Sequence, residues 1–492
     1  FVDTNPVSSK NHYYVNAMYG GKESGLCELV IDLQPPQITI VSPTDGETLH
    51  GTVTILAEVQ DNEGIAQVEF FANDTLLKSF TSSPYEYAWN TYGVIDGTYT
   101  LKVQATDLLG NQNSKSINVI VSNGQKTFEK TFGGNREDRA FSIQKTTDGG
   151  YIVAGVTKSF GAGNYDAYVL KLNSDGSLAW QKTLGGNGDD VAYFIQQTTD
   201  DGYIAAGATT SFGAGGYDVY ILKLDSNENL VWQKTFGGSG EDWASSIQQT
   251  TDGGYIVAGY TDSLGAGSRD VYVLKLNSDG SLAWQKTFGG SDYDYAWSVT
   301  QTTDGGYIVA GSTASFGAGW EDAYVLKLNP DGSLAWQKTF GGNGYDFADS
   351  VTQTADGGYI VAGLTNSFGD GYEHAYIFKL NSDGNLVWQK TFGETNGDIA
   401  YSIQQTTDGG YIVAGVTSSF GDNYNSDVYI LKLNSDGSLE WQKTFGGNGE
   451  DWAISIQQTK DGGYIVAGFT NSFGAGDYDV YILKLDSNGE LH

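Results

Sequence analysis

The sequence predicts an all-β protein in which a seven-bladed β-propeller of four-stranded antiparallel blades follows a smaller β-sandwich. Three observations carry this prediction: the composition, a motif that recurs at a fixed spacing, and four short β-prone runs in each repeat. Of 492 residues, 68 are Gly and 32 are Tyr. This balance favours short strands and tight turns, and the sequence has no Ala-, Leu- and Glu-rich stretches long enough for several helices.

Two sequence markers define seven repeats. The motif GYIVAG, or a close variant, recurs every 52 residues, with a last step of 53. Its tyrosines are Tyr151, Tyr203, Tyr255, Tyr307, Tyr359, Tyr411 and Tyr464. The tryptophans of the WQKTFGG motif are Trp180, Trp232, Trp284, Trp336, Trp388 and Trp441, and Phe128 occupies the corresponding slot ahead of them.

Each repeat contains four runs with β character. In the first repeat they span 141–146, 151–157, 167–172 and 178–184. The first two runs are joined by DGG and the last two by NSDG, which are sequences of tight hairpin turns. Four strands in a repeat of this length are typical of a propeller blade.

The ends of the repeat array predict a closed ring. A solenoid is the competing architecture, and it would need end repeats with a polar outer face, which the sequence does not contain. The seventh repeat stops at Leu491 and His492, where its fourth strand should begin, and a spare fourth strand spans 126–132. We predict that this N-terminal strand completes the last blade and leaves no open edge.

The stretch LNSDGSLAW, with Gly176 four residues before Trp180, resembles the Gly-x-x-x-Trp motif of PQQ-type, Kelch-like propeller repeats. The resemblance covers about residues 126–492 and implies that the Trp docks between neighbouring blades. The second repeat has Glu228 in place of the Gly, so its turn is expected to differ. Quinoprotein enzymes of this kind carry a vicinal Cys pair, which these repeats lack, so the resemblance implies no quinone cofactor.

The predicted domains are residues 1–34, 35–123 and 124–492. Residues 36–122 contain about seven short β-prone runs and resemble bacterial Ig-like modules, with Trp89 expected in the core. Residues 1–34 resemble the last strands of a fibronectin type III domain. The chain opens with FVDTNP, which we interpret as a piece of a longer precursor from a prokaryotic exported protein.

Charge and cysteine content narrow the class of partner. The formal net charge of −33 disfavours nucleic acid and anionic membranes. The single Cys27 forms no internal disulfide, and with four His it offers no zinc motif. We expect a monomer at the cell surface or outside the cell, without membrane insertion.

The long links of each repeat predict where a ligand binds. Strand direction alternates in an antiparallel blade, so the link into the first strand and the link into the third strand emerge at the same end. These two links are the long ones, and function on rigid scaffolds usually lies on such loops. We therefore assign the ligand face to this end.

Two rings of aspartates accompany the long links, and His374 interrupts the second ring. The first ring is Asp138, Asp190, Asp242, Asp294, Asp346, Asp398 and Asp451, and the second is Asp166, Asp218, Asp270, Asp322, Asp427 and Asp479. One interpretation is a site for Ca²⁺ or a polyol. The other, favoured by the repetition, is that each Asp accepts backbone N–H bonds and fixes its own loop.

Residues that vary between repeats on the long-link face are the better ligand candidates. They are Arg136, Arg269, Tyr293, Trp320, Tyr345, Tyr372, His374 and Tyr424. Exposed aromatic rings suit the apolar faces of sugars, although some of these rings could instead pack across the central opening. Trp243 and Trp452, which directly follow first-ring aspartates, are expected to pack between blades.

The sequence favours a binding or adhesion module whose ligand is a glycan or a protein. The alternatives are a carbohydrate-active enzyme, either a glycosidase or a polysaccharide lyase, and a non-catalytic protein scaffold. A Ser-His-Asp site needs a histidine, and His374 is the only one in the interior of the repeat region. A glycosidase needs one carboxyl group in a distinct environment, for which near-identical repeats offer little asymmetry.

Overall fold

The computed structural model describes residues 10–15, 18–19, 22–23, 27–32, 34–91, 94, 97–122, 127–394, 396–420 and 425–492. The chain divides into two compact units, Phe1–Gly124 (unit 1) and Gln125–His492 (unit 2). Within the described residues, every regular element longer than one residue is a β-strand. None of the described residues belongs to a helix of the length and apolarity needed to cross a membrane.

Unit 1 begins with two short antiparallel pairs. The strands of unit 1 are β1 Lys10–Val15, β2 Met18–Tyr19, β3 Lys22–Glu23, β4 Cys27–Asp32, β5 Gln37–Ser42, β6 Thr48–Leu49, β7 Thr52–Gln60, β8 Ile65–Ala72, β9 Thr75–Phe80, β10 Tyr85–Asn90, β11 Gly97–Asp107 and β12 Gln112–Val121. Strand β1 pairs with β4, and β2 pairs with β3. The predicted fibronectin-like segment falls partly outside the described residues, and its type stays a prediction.

The remaining strands of unit 1 form two sheets. Their strand orders are β10-β7-β5 and β6-β12-β11-β8-β9. Buried and less buried residues alternate along β11 from Leu101 to Asp107, as expected for a strand with one face on a core. Trp89 is 3% exposed and packs edge-on against Tyr99 at 5.6 Å, which confirms the prediction that it lies in this core.

Unit 2 consists of β13 Phe128–Phe132 and seven sets of strands. In chain order, sheet 1 is β14 Asp138–Lys145, β15 Tyr151–Thr157, β16 Asp166–Leu172 and β17 Leu178–Leu184; sheet 2 is β18 Asp190–Gln197, β19 Tyr203–Thr209, β20 Asp218–Leu224 and β21 Leu230–Phe236; sheet 3 is β22 Asp242–Gln249, β23 Tyr255–Thr261, β24 Asp270–Leu276 and β25 Leu282–Phe288; sheet 4 is β26 Asp294–Gln301, β27 Tyr307–Thr313, β28 Asp322–Leu328 and β29 Leu334–Phe340; sheet 5 is β30 Asp346–Gln353, β31 Tyr359–Thr365, β32 His374–Leu380 and β33 Leu386–Phe392; sheet 6 is β34 Asp398–Gln405, β35 Tyr411–Thr417, β36 Asp427–Leu433 and β37 Leu439–Phe445; sheet 7 is β38 Asp451–Gln458, β39 Tyr464–Thr470 and β40 Asp479–Leu485, with β13.

Strand β13 supplies the fourth strand of sheet 7. It pairs antiparallel with β40, from Phe128 opposite Lys484 to Phe132 opposite Val480. The first strands of successive sheets contact one another, and β14 also contacts β38 and β39 of sheet 7. The peptide N–H of Ile143 donates to Ser455 Oγ at 3.2 Å, so sheets 1 and 7 are hydrogen-bonded neighbours.

The second and third strands of each sheet are buried along their whole length, as in β15 and β16. Both strands are covered on both faces and most of their residues are apolar, while Asp166 and Lys171 are buried charged residues of β16. The first strand was predicted to begin at Phe141, and this is wrong by three residues. A β-bulge between Ala140 and Ser142 shifts the register and carries the pairing back to Asp138, which lies opposite Thr157.

The DGG turns are fixed by their own side chains. In sheet 1, Asp148 Oδ1 accepts hydrogen bonds from Thr146 Oγ1 at 2.5 Å and from the Gly150 N–H at 2.9 Å. Gly149 has a φ of 84°, a conformation that glycine adopts without steric cost. The buried Lys171 ammonium lies 2.9 Å from Asp148 Oδ2. The carboxylate that fixes the turn therefore also pairs with a buried cation.

The Trp of each outer strand packs against the following sheet. Trp232 stands edge-on to Tyr255 at 6.0 Å, and a Cβ added to Gly280 would lie 3.0 Å from the Trp232 ring. The prediction that the second repeat has a different turn is wrong. Glu228 takes a φ of 68°, like Gly176 at 79°, and its N–H donates to the Asp225 carbonyl at 3.1 Å as Gly176 donates to Asn173. A non-glycine residue in the left-handed backbone conformation costs only about 1–2 kcal/mol.

Candidate ligand-binding cavity

A cavity of about 670 Å³ is lined by the first strands of all seven sheets. We call it the inner-strand cavity. The third residue after the aspartate that opens each first strand lines it in all seven sheets, and the first and fourth residues join it in several of them, as with Phe347, Asp349 and Ser350 in sheet 5. The bulge explains the pattern, because one extra residue turns two successive side chains away from the sheet core. Ala348 and Val351, on either side, are buried in that core.

The residue at the third position changes from each sheet to the next, and only tyrosine occurs twice. The position holds Phe141, Tyr193, Ser245, Trp297, Asp349, Tyr401 and Ile454. The surrounding framework repeats almost without change, so this one position gives the cavity an asymmetric wall. The sequence contains the signal, a position that varies three residues after an aspartate present in every repeat, but the predicted site residues lie on the loops and do not include it.

Asp349 is the charged side chain with the least compensation in the cavity. Its Oδ2 atom is inaccessible to solvent and has no hydrogen-bond partner. Burial raises the pKa of this carboxyl to about 7, because a desolvated carboxylate is disfavoured relative to the neutral acid. The Asp349 charge in turn contributes to a raised pKa for Tyr401 of the next sheet, which places the two groups within electrostatic reach.

Nitrogen donors in the cavity wall are also unpartnered. The indole Nε1 atoms of Trp243, Trp297 and Trp452 are buried without a hydrogen-bond partner, as is Arg139 Nε. The Arg139 guanidinium lies 2.6 Å from Glu137 Oε1 and over the Phe469 ring at 4.7 Å. Buried polar atoms are normally paired, so several donors and one carboxylate oxygen of the residues that line this cavity lack the partner that such atoms usually have.

A row of stacked rings runs from the protein surface into the cavity on sheet 4. Tyr293 is 47% exposed and stacks on Tyr295, with ring centroids 6.3 Å apart and planes 5° from parallel. Tyr295 stacks on Trp297 at 5.4 Å and 12°. Alternate residues of a strand share one face, which is why positions 293, 295 and 297 line up. We call these three rings the sheet 4 ladder.

A second row lies beside it on sheet 5. Trp320 is 69% exposed and stacks on Tyr345 at 5.9 Å. Tyr345 meets Phe347 edge-on at 6.3 Å, and Asp349 follows two residues further along the same strand. We call Trp320, Tyr345 and Phe347 the sheet 5 ladder.

The other predicted site residues are distributed differently. Arg269 bonds Glu241 at 2.7 Å and lies over the Tyr260 ring at 4.9 Å, so it holds the wall of the cavity rather than facing solvent. Arg136 and Tyr372 are exposed on the loops. His374 is 6% exposed, and its Nε2 lies 2.9 Å from Asp370 Oδ1. Tyr424 lies outside the described residues.

The aspartate rings fix loops, as the repetition suggested. Asp346 accepts hydrogen bonds from Thr365 Oγ1, from Ser367 Oγ at 2.5 Å and from the Gly342 N–H at 2.9 Å. Asp322 of the second ring accepts from the Ala318 N–H at 2.7 Å. Burial and then the nearby Asp346 charge raise the pKa of Asp322.

Only glycine fits between the two rings. A Cβ added to Gly341 would lie 2.3 Å from Asp322 Oδ1 and 2.5 Å from Asp346 Oδ2. No group of three His, Cys, Asp or Glu side chains suited to a metal ion occurs in the described part of the chain. Binding of Ca²⁺ therefore stays a prediction without support from a ligand cluster.

Trp243 and Trp452 combine packing with a place on the cavity wall. Trp243 contacts Tyr193 of the preceding sheet at 5.5 Å, and Trp452 stacks on Tyr401 of the preceding sheet at 5.8 Å. The expected packing between sheets is therefore present. Both side chains also line the cavity, which the sequence analysis did not predict.

Two family models match this chain. A bacterial Ig domain matches residues 36–103, and a β-propeller family described as a domain of unknown function (DUF5122) matches 146–178, 250–282, 302–334, 354–386 and 406–440. The chain carries a bacterial Ig domain followed by a β-propeller repeat region. The Ig domain lies in unit 1 and the propeller repeats lie in unit 2.

Among curated proteins, the chain is similar to the regulatory protein FlaEY of Caulobacter vibrioides, with 26% identity over 45% of this chain and 26% of that protein. It is also similar to an uncharacterized protein of Aquifex aeolicus, with 22% identity over 46% of this chain and 62% of that protein. The chain thus spans about a quarter and about three fifths of the lengths of these two relatives.

One similar solved structure is the extracellular domain of the putative hybrid two-component system BT4673 of Bacteroides thetaiotaomicron. It has 12% sequence identity and a TM-score of 0.43, over 92% of this chain and 52% of that one.

Proposed function

We propose that unit 2 is a closed seven-bladed propeller that serves as the binding module of a cell-surface or secreted protein. Ring closure is supported by the pairing of Phe128–Phe132 with Asp479–Leu485. It is further supported by the bond from the Ile143 N–H to Ser455 Oγ, which joins the first and last sheets. The bacterial Ig domain ahead of the repeats fits a modular exported chain in which such modules act as spacers.

We infer that the ligand is a glycan that enters the inner-strand cavity. The observation that carries this proposal is the pair of ladders, each of which leads from an exposed ring to a ring on the cavity wall. Aromatic faces bind the apolar faces of sugar rings and lose little rotamer entropy in doing so. The unpartnered indole N–H groups would then donate to sugar hydroxyls, as buried donors require a partner.

Binding fits the cavity better than glycoside hydrolysis does. Asp349, with its pKa raised to about 7, has the environment expected of a general acid. Most glycosidases need a second carboxyl group on the other side of the scissile bond. Among the described residues that line the cavity, Asp349 alone carries a carboxyl group, so the pair is not assembled there.

The test is glycan-array binding by the full chain and four variants. Trp320→Ala and Tyr293→Ala remove the outer rings of the two ladders, and Trp297→Ala removes a ring on the cavity wall. Val387→Ala, at an exposed position of the outer strand β33, is the control. A stacked ring contributes about 1 kcal/mol, so each ladder variant should lose about fivefold in affinity, while the control binds like the parent chain.

Three outcomes would contradict this proposal. They are glycans that bind equally to all variants, an array without any bound glycan, and release of sugar products, which would indicate the enzyme instead.

A further inference from the structure

The surroundings of Asp349 identify the chemical group that its subsite takes. Asp349 follows Phe347 on one face of β30. The equivalent positions of the neighbouring first strands hold Trp297 and Tyr401, and all four side chains line the same cavity. A carboxylate among aromatic rings combines a negative charge with the negative ring faces that attract a cation.

Resting on the proposed function, we propose that the Asp349 subsite binds an ammonium group of the glycan, so that the preferred ligand contains an amino sugar with a free amine.

A hydroxyl group would satisfy Asp349 less well than an ammonium group. The Oδ2 atom lacks a hydrogen-bond partner, and any donor could supply the bond. A neutral donor would leave the desolvated charge uncompensated, and the cost of burying an unpaired charge is high. An ammonium group supplies both the N–H bond and the opposite charge, and charge-assisted bonds are about twice as strong as neutral ones.

The remaining charges around the cavity allow a cation to bind. Arg139 is the one cationic side chain among the described residues of the wall, and it is already paired with Glu137 at 2.6 Å. The hydroxyls of Tyr193, Tyr260 and Tyr401 also line the cavity, and burial raises the pKa of each, so they stay neutral at physiological pH. The chain's net charge of −33 attracts cationic ligands from a distance.

A metal ion is a poorer occupant than an ammonium group. Ca²⁺ takes six to eight oxygen ligands, and no cluster of three candidate ligands exists in the described part of the chain. A purely structural role is also disfavoured, because the loop-fixing aspartates such as Asp346 accept several hydrogen bonds, whereas Asp349 Oδ2 accepts none.

The experiment is isothermal titration of the full chain at about pH 7 with two glucosamine tetramers, one fully deacetylated and one fully N-acetylated. The parent chain should bind the deacetylated tetramer about tenfold more tightly or better, as a desolvated cation–π contact with a charge pair implies. Asp349→Asn and Asp349→Ser should abolish this preference. Serine is the residue that sheet 3 carries at this position, Ser245, so the second variant keeps the repeat pattern.

Asp331→Asn is the matched control. Asp331 is an exposed aspartate in a hairpin turn of sheet 4 outside the cavity, so its removal should leave the preference intact. Equal affinity for the two tetramers overturns the ammonium subsite and leaves the glycan proposal standing. A preference that survives both Asp349 variants overturns it as well.

A small cation tests the ammonium subsite independently of the glycan proposal. Methylammonium chloride, which carries N–H donors and a positive charge, should quench or shift the Trp fluorescence of the parent chain, because Trp297 occupies the equivalent position of the neighbouring first strand and lines the same cavity. The Asp349→Ser variant should not respond. A response to this cation in a chain that binds neither tetramer would sink the glycan proposal and support the ammonium subsite. No response in the parent chain overturns the subsite.

Discussion

Asp346 and Asp349 lie three residues apart on one strand and show two opposite uses of a buried carboxylate. Asp346 is 0% exposed and accepts three hydrogen bonds from the loops around it. Asp349 is partly buried, and its Oδ2 has no partner. The first recurs in all seven repeats, and the second occurs in one.

The difference teaches where to look for function in a repeat protein. A residue that recurs in every repeat meets a structural requirement of every repeat, here the hydrogen bonding of a buried loop. A polar residue can also occur once, at a position where other repeats carry aromatic, aliphatic or small side chains. The fold of the repeat does not require such a residue. Its cost to the fold has to be offset elsewhere, and a bound ligand is one way to offset it.

The largest expected effect comes from truncating the two aspartates in parallel. Asp346→Ala strands three donors, and we expect a loss of about 3 kcal/mol or more in the free energy of unfolding of unit 2. Asp349→Ala removes an unpartnered carboxylate and should leave this free energy unchanged or raise it by up to about 2 kcal/mol. Denaturant unfolding of both variants at about pH 8 measures the two changes in free energy. Equal losses would contradict the expected difference between the two aspartates.

The pH dependence of stability should differ between the parent chain and Asp349→Ser. Burial raises the folded-state pKa of Asp349 to about 7 from its ordinary value of 3.8, so the folded state binds more protons than the unfolded state between these values. Stability from this group is present below about pH 4 and is lost as the pH rises through about 7.

The loss should be on the order of 2 kcal/mol for a partly enclosed carboxyl. Unfolding free energies of the two chains between about pH 4.5 and pH 8 give the difference directly. Parallel curves would mean that Asp349 titrates normally.

A carboxylate introduced into another sheet tests whether the position itself creates the effect. Ser245→Asp places an aspartate at the equivalent position of sheet 3, beside unpartnered indole groups. We expect a destabilisation of about 1 kcal/mol at about pH 8, because a buried charge is added without a partner of opposite sign. Methylammonium should restore stability, as seen by thermal unfolding, whereas a gain in stability without any cation would show that the wall can solvate a carboxylate.

The smallest effect concerns an exception within the repeated framework. Glu228 holds a left-handed turn position where other repeats have glycine. Glu228→Gly should therefore stabilise unit 2 by about 0.5–1 kcal/mol and leave ligand binding unchanged. Gly280→Glu is the reverse control, and it should destabilise more, because a Cβ there meets the Trp232 ring. A destabilising Glu228→Gly would mean that the glutamate side chain contributes more than its backbone strain costs.

Most of the framework could be predicted from the sequence because local chemistry dictates it. Asp-Gly turns, such as that at Asp148 and Gly149, fix the hairpins, and the spacing of Tyr151 and its equivalents fixes the number of strands per repeat. The exact start of the first strands could not be predicted, since a bulge near Phe141 depends on pairing with the neighbouring strand. For the same reason the sequence did not reveal which side chains of that strand leave the sheet core.

The candidate site was predicted only in part. Tyr293, Trp320 and Tyr345 proved to be the outer members of the two ladders, since exposure on the loops can be inferred from strand alternation. Asp349 was missed because its environment is made by residues from other repeats, such as Trp297 and Tyr401. The residues next to position 349 in the sequence do not indicate that side chains from other repeats line the same cavity.

The way in which sheet 7 is assembled has a mechanical consequence. Strands β13 and β40 run antiparallel, so Phe128 at the start of one lies opposite Lys484 near the end of the other, and Thr127 exchanges hydrogen bonds with His492. Tension applied through the two ends of unit 2 would break the hydrogen bonds between β13 and β40 one after another, instead of loading all of them at once. If flow or a tethered partner pulls on the chain, sheet 7 is where unit 2 should open first.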